Sequence, residues 1–210
     1  DLCENADDKS FYPCTIIYNG VKLNNTGIRT KGNTSLKKVL NNNGTRFSFK
    51  VDFNHYVDQT LFGLESINLN NIFNDPSYMR DKLSYEMCDY LGLATPKTSY
   101  CNIYINGELH GLYLALQSVD DVFINTNFTN NKGDLYQPNR GGGSDLVYID
   151  DDIGSYSGLE LKTNEDSSDG KDLINMLKTL DSGDNLESVL NTDDLLKYFA
   201  VCTAAVSLDS

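Results

Sequence analysis

The cleanest alternation of apolar and polar residues lies in RFSFKVDF, with Phe47, Phe49 and Val51 on one side and Ser48, Lys50 and Asp52 on the other. Period-two alternation marks a strand with one face in the core, so this segment reads as a strand showing Lys50 on its polar face. Two hairpins announce themselves by their turns. In CTIIYNGVKL the β-prone runs flank Asn19-Gly20, and YCNIYING and LHGLYLALQSVD flank Asn106-Gly107. Asn-Gly supplies the positive φ that both central residues of a two-residue hairpin turn need. TGIRTKGNTS reads as the continuation of the first hairpin into a polar, Gly-containing loop, and Asn43-Gly44 as the turn into the Phe47 strand.

In NDPSYMRDKLSYEMCDYLGL the period changes. Asp75 suits an N-cap, Pro76 the first helical position and Gly92 the residue just past the end. Met79, Leu83, Met87 and Tyr90 recur at three- and four-residue spacing and predict a helix that buries this stripe. At about 100° per residue Glu86 falls inside the stripe and Asp81 points away from it. A carboxylate on a buried face is costly unless a cation meets it, which singles out Glu86. The segment NKGDLYQPNRGGGSDLVYIDDDIGSYSG then reads as a long surface connection with brief ordered pieces. Two helices follow, KDLINMLKTL and one beginning near Thr192 with Asp193 and Asp194 in its first turn. The latter is apolar almost all round from Leu195 to Leu208, the pattern of a buried helix. The chain is therefore read as α+β with two lobes, strand-rich over residues 1–120 and helix-rich over 121–210.

Composition narrows the partners. The 210 residues are 40% apolar, enough for a packed core, and carry a formal charge of -13. That charge argues against nucleic acid or an anionic membrane surface as the main partner, and no apolar run is long enough to span a membrane. Cys3 and Cys14 could close a small loop in an oxidising compartment, whereas Cys88 and Cys202 fall in helical apolar patterns and read as buried thiols. With two His residues and no CxxC, a structural zinc site is not expected. The sequons at Asn24, Asn33, Asn43 and Asn127 hint at secretion. In YIDDDIG, adjacent acids point in different directions and no further ligands follow at loop spacing, so a solvated loop is favoured over a calcium site.

The order of features is a glycine-bearing hairpin, a strand with an outward Lys50, a helix with an inward Glu86, two strands, a connection, a buried helix and Asp209. That is the order of parts in a protein kinase up to its catalytic loop. A strand Lys and a helix Glu also recur as an ordinary structural ion pair. Neither a GxGxxG before Lys50 nor a Walker loop is present.

The words GIRTKGNTS, RFSFKVDF, LFGLESINLNNIFNDPSYMRDKLSYEMCDYLGL, YCNIYINGELHGLYLALQSVD, GDLYQ and LELKTN, in this order, resemble the CotH family, the spore coat protein H-like kinases. The resemblance implies an atypical protein-kinase-like two-lobe fold and magnesium-assisted transfer of the ATP γ-phosphoryl group to Ser or Thr of protein substrates. It places Arg29, Lys31, Gly32 and Ser35 in the loop that stands for a Gly-rich loop. It leaves open which of Lys31 and Lys50 meets the phosphates, and the strand-helix order favours Lys50 with Glu86 as its orienting partner. Asp209, in SLDS, aligns with the family's catalytic acid, with Leu208 where an aromatic is usual. Gln117 stands where an acid is common, and Lys162 lies in a word of unassigned role. The family's metal-binding Asp comes further on, so no metal ligand is assigned here and this chain alone is expected to be inactive. The resemblance further implies an extracellular, spore-coat or cell-surface location, with a Ser/Thr-rich protein substrate, an extracellular complex or a host-surface protein as partner. The alternative it carries is a catalytically silent surface module of adhesin type.

Overall fold

A computed structural model describes residues 2–130, 132–139 and 143–206. The chain divides into two compact units, one of residues 1–90 with 94–126 and one of 91–93 with 127–210. Both combine helices with antiparallel strands.

The first unit is a six-stranded sheet in the order β1-β2-β3-β4-β6-β5, with every neighbouring pair antiparallel. Its strands are β1 (Tyr12–Tyr18), β2 (Val21–Lys31), β3 (Ser48–Asp52), β4 (Ser66–Asn70), β5 (Thr98–Ile105) and β6 (Glu108–Gln117). The two Asn-Gly turns are as expected, with φ of 47° and 82° at Asn19 and Gly20 and 53° and 89° at Asn106 and Gly107. Alternation in β3 sends Phe49 and Val51, flanked by Phe47 and Phe53, into the core. Helix α1 (Thr34–Asn41) covers that core with Leu36 and Val39, where the sequence reads only a loop. The Tyr113 hydroxyl donates to the Phe47 carbonyl at 2.9 Å, which satisfies the one polar atom on a fully buried ring.

Helix α2 (Arg80–Tyr90) begins later than expected, and Asp75 serves it from five residues upstream. One carboxylate oxygen accepts from the Ser77 N–H (3.1 Å) and hydroxyl (2.6 Å), the other from the Arg80 N–H (2.7 Å). The Ser77 bond above all holds the Asp75 carboxyl below its ordinary range. Such an anchor at a helix start is worth about 1–2 kcal/mol, so Asp75→Ala should lose about that much in urea denaturation at neutral pH. A carboxyl depressed by folding stabilises above its unfolded value, near 4, and stops doing so as pH falls through the folded one. The gap between wild type and Asp75→Ala should therefore close in strong acid, and a gap that persists there would refute the assignment.

The predicted buried stripe of α2 is overturned. Met79, Leu83, Met87 and Tyr90 are exposed, Tyr90 to 91%. The helix instead turns Asp81, Lys82, Tyr85 and Cys88 inward, and the Lys82 ammonium reaches the Thr98 carbonyl (3.2 Å) and hydroxyl (3.0 Å) on β5. Short helix α3 (Asp121–Asn127) follows β6.

In the second unit, α4 (Lys171–Ser182) packs Leu173, Ile174 and Leu177 against Tyr156. Strands β7 (Tyr136–Pro138) and β8 (Leu159–Leu161) pair the GDLYQ and LELKTN words with each other. Lys162 donates its backbone N–H to the Leu135 carbonyl at 2.8 Å, and Asn164 binds the Asp134 carboxylate at 3.0 Å. That gives the Lys162 word a structural role. The acidic run is used internally: Asp150 and Asp152 accept backbone N–H groups, and Asp151 pairs with Lys178. Helix α5 (Thr192–Ala205) begins where its acidic first turn predicts and is capped by Asn191, but it is not buried all round. Val201 is its one buried residue, while Leu196, Tyr198 and Phe199 are exposed, because the core of this unit is built on α4 and the β7–β8 pair.

All five cysteines are free thiols; Cys14 lies 3.0 Å from the Thr26 hydroxyl and is not joined to Cys3. Cys88 and Cys202 are half-buried. Among the described residues no helix is long and apolar enough to cross a membrane.

Candidate anion-binding site

The face of the sheet opposite the Phe49 core is polar, and strand register determines what it carries. Arg29 lies directly across from Lys50 and Lys50 from Asn68, with Gly27, Asp52 and Ser66 forming the next row. Directly opposed residues of antiparallel strands share a face with Cβ atoms about 4.5–5.5 Å apart. Lys31, two positions beyond Arg29, falls on the same side and donates to the Asn70 side-chain oxygen at 3.1 Å. Three cations on two neighbouring strands, β2 and β3, thus crowd a small area.

Burial and crowding together act on the protonation of Lys31, at the end of β2. Burial brings the Lys31 ammonium down to about 8, the Arg29 and Lys50 charges push the same way, and Asp81 opposes them. Asp81, presented by the first turn of α2, is raised by its own burial and by Asp75, against the pull of Arg80 and Lys31. Burial also lowers Arg29, with Asp52 opposing. Folded Lys31 releases its proton near 8 and an unfolded lysine near 10.5. Between these values the unfolded state binds more protons, so ligand-free stability rises with pH there. The positive cluster is held against its own repulsion, and a bound anion would relieve it.

Two features next to Lys31 suit such an anion. Gly32 has φ +93° and the Ser35 hydroxyl occupies the space that a Cβ there would need, so the backbone stays open at this turn. Asn33 then starts α1 without a side-chain cap, which leaves first-turn N–H groups free of a side-chain partner at the positive end of the helix.

At the far end of the face, Asp120 sits near Lys50. Burial raises its carboxyl, while the Phe123 N–H, Lys50 and the Ser66 hydroxyl favour its charged form. Ser66 donates to Ser118 at 2.7 Å and Asn68 to the same oxygen at 3.3 Å. Asp52 keeps one buried oxygen without a partner and holds the other 3.7 Å from His55. Gly27 leaves room for the Phe11 and His55 rings, which stack at 4.1 Å.

The structure therefore brings Arg29, Lys31 and Lys50 onto one face, with Gly32 and Ser35 in the adjoining turn. Glu86 is placed elsewhere: it is exposed and pairs with Lys82 at 3.0 Å, one helical turn away. The carboxylate α2 presents to the cluster is Asp81. Asp209 lies outside the described residues. Gln117 is buried, and its side-chain oxygen accepts the Lys97 N–H at 3.2 Å, a bond within the sheet. The sequence reading missed Asn68, Asn70, Asp81 and Asp120. A signal existed for the first two, since SINLN alternates and places both asparagines on one side. Among the described residues no group of three His, Cys, Asp or Glu side chains could hold a metal ion. Asp52, Asp81 and Asp120 act electrostatically on Arg29, Lys31 and Lys50 respectively.

Comparison with known proteins bears on this face directly. The model of the family described as CotH kinase protein matches residues 28–210, beginning on β2 one residue before Arg29. Inner spore coat protein H of Bacillus subtilis (strain 168) is 38% identical over 77 residues, 37% of this chain and 21% of that protein. The inner spore coat protein H-like protein of the same strain is 36% identical over 69 residues, 33% of this chain and 22% of that protein. The matched stretch thus spans about a fifth of each relative. Because the family's model matches most of this chain, including every cation of the cluster, the chain belongs to the CotH family.

Proposed function

We propose that the first unit is the nucleotide-binding part of a CotH-type protein kinase, acting on Ser or Thr of coat or surface proteins. The observation that carries this reading is the cluster of Arg29, Lys31 and Lys50 on one sheet face, held against repulsion beside a glycine turn and a helix N-terminus. Singly charged ligands would leave it under-neutralised; a polyphosphate would not. ATP, when bound, supplies the γ-phosphoryl group. Lys31, held by Asn70 and facing Asp81, donates to a phosphate oxygen, and Arg29 and Lys50 neutralise the remainder. Backbone N–H groups of the turn and of α1 complete the cradle. By the family resemblance, Asp209 accepts the proton of the attacking hydroxyl. The names of the two relatives support a coat location.

The test is transfer of labelled γ-phosphate from ATP by the whole protein and its Asp209→Asn variant to a Ser/Thr-rich protein, alongside ATP binding to this chain. Labelling by wild type alone supports the proposal. Equal labelling by both removes Asp209 from its role, and a chain that binds no ATP would be the silent surface module instead.

A further inference from the structure

We propose that the polyphosphate on this face is bound together with a proton, taken up at the Lys31 side-chain nitrogen. The inference deepens the nucleotide reading and rests on it. The geometry is asymmetric in charge. Lys31 faces Arg29 along β2, Lys50 from β3 and Asp81 from α2, while β4 offers the neutral oxygen of Asn70. Asp81 is itself influenced by Asp75 and Arg80. In the free site Lys31 thus meets two cations and one carboxylate in a desolvated position, and its ammonium holds its proton only to about 8.

An anion placed among the three cations reverses the sign of Lys31's surroundings. It favours the ammonium and raises its proton affinity. The balance is simple: the neutral amine takes one proton from solvent, and the new N–H is donated to a phosphate oxygen. Linkage then requires ligand affinity to fall as pH rises above about 8, by up to tenfold per unit until the bound-state value is reached. The terminal phosphate of ATP cannot cause this fall, because its last ionisation lies near that of a phosphate monoester, about 6, and favours binding at higher pH.

Calorimetric titration of this chain with ATP, in buffers of different ionisation enthalpy, measures the uptake, and tripolyphosphate at pH 7 serves as a second binding probe. At pH 8.5 it should be about three quarters of a proton, and near pH 7 about a tenth, given a free value of about 8. Lys31→Arg, which keeps its charge, should bind with almost no uptake and a flat pH profile. Asp81→Asn should retain the uptake, which assigns it to the lysine. Binding by wild type without uptake at pH 8.5, or equal uptake by Lys31→Arg, overturns the proposal while leaving the nucleotide reading intact. Failure to bind either probe at pH 7 sinks the nucleotide reading, and this proposal with it.

Discussion

Replacing Phe49 by alanine should remove about 3–5 kcal/mol of stability from the strand-rich unit, the range for truncating a buried aromatic. Phe49 is 1% exposed, sits in β3 between β2 and β4, and stacks on Tyr113 with ring centroids 6.0 Å apart. It shares its cluster with Leu36 and Val39 of α1 and with Phe47, Val51, Phe53 and Leu69, so no flexible neighbour is free to refill the space. A domain has only about 5–15 kcal/mol in total, which makes this loss a large part of the whole. With a urea slope of about 1–3 kcal/mol/M, the midpoint should drop by at least about 1 M. Phe62 provides the control, because it is 68% exposed, and Phe62→Ala should change stability by less than about 0.5 kcal/mol. Equal midpoints for the two variants would show that the alternation in β3 does not define the core.

What the residue pattern made legible follows from how local each signal is. The β3 alternation and the two Asn-Gly turns are specified within a few residues, and the structure carries all three. Helix α1 had a usable signal too, in Leu36, Val39 and Leu40, but the preceding polar words and the Asn43-Gly44 turn mask it. The face α2 turns inward was not legible. Its two candidate stripes, Met79-Leu83-Met87-Tyr90 and Asp81-Tyr85-Cys88, both have helical spacing, and the more apolar one is the exposed one. The choice is made across the chain, where Lys82 meets Thr98, Arg46 packs against the Tyr78 ring, and the Tyr100 hydroxyl donates to the Tyr78 carbonyl. None of these contacts is visible in a window around the helix. The same rotation decides which acid reaches the cation cluster: it brings Asp81 to Lys31 and leaves Glu86 on the exposed side with Lys82.

Lys31→Met should therefore weaken ATP binding more than Lys50→Met, the reverse of what strand and helix order alone suggests. A charge-assisted hydrogen bond is worth about 1.5–3 kcal/mol, so the loss at Lys31 should be about 10- to 150-fold in Kd. Lys31 is half-buried, fixed by Asn70 and faced by Asp81. A donor held in this way is already ordered before the ligand arrives, so little ordering remains to oppose binding. Among the described residues Lys50 has no anchor beyond the electrostatic pull of Asp120, and Glu86, which would have oriented it, is engaged with Lys82. Removing Lys50 deletes one of three neutralising charges; removing Lys31 deletes a charge and the positioned donor, and leaves Asp81 without its lysine. Lys31→Arg distinguishes loss of contact from loss of fold, because an arginine restores the charge and should recover most of the affinity. The measurement is ATP titration of all three variants at pH 7, with urea midpoints for each. If Lys50→Met abolishes binding while Lys31→Met binds as wild type does, the phosphate contact belongs to Lys50 and the role given to Asp81 falls with it.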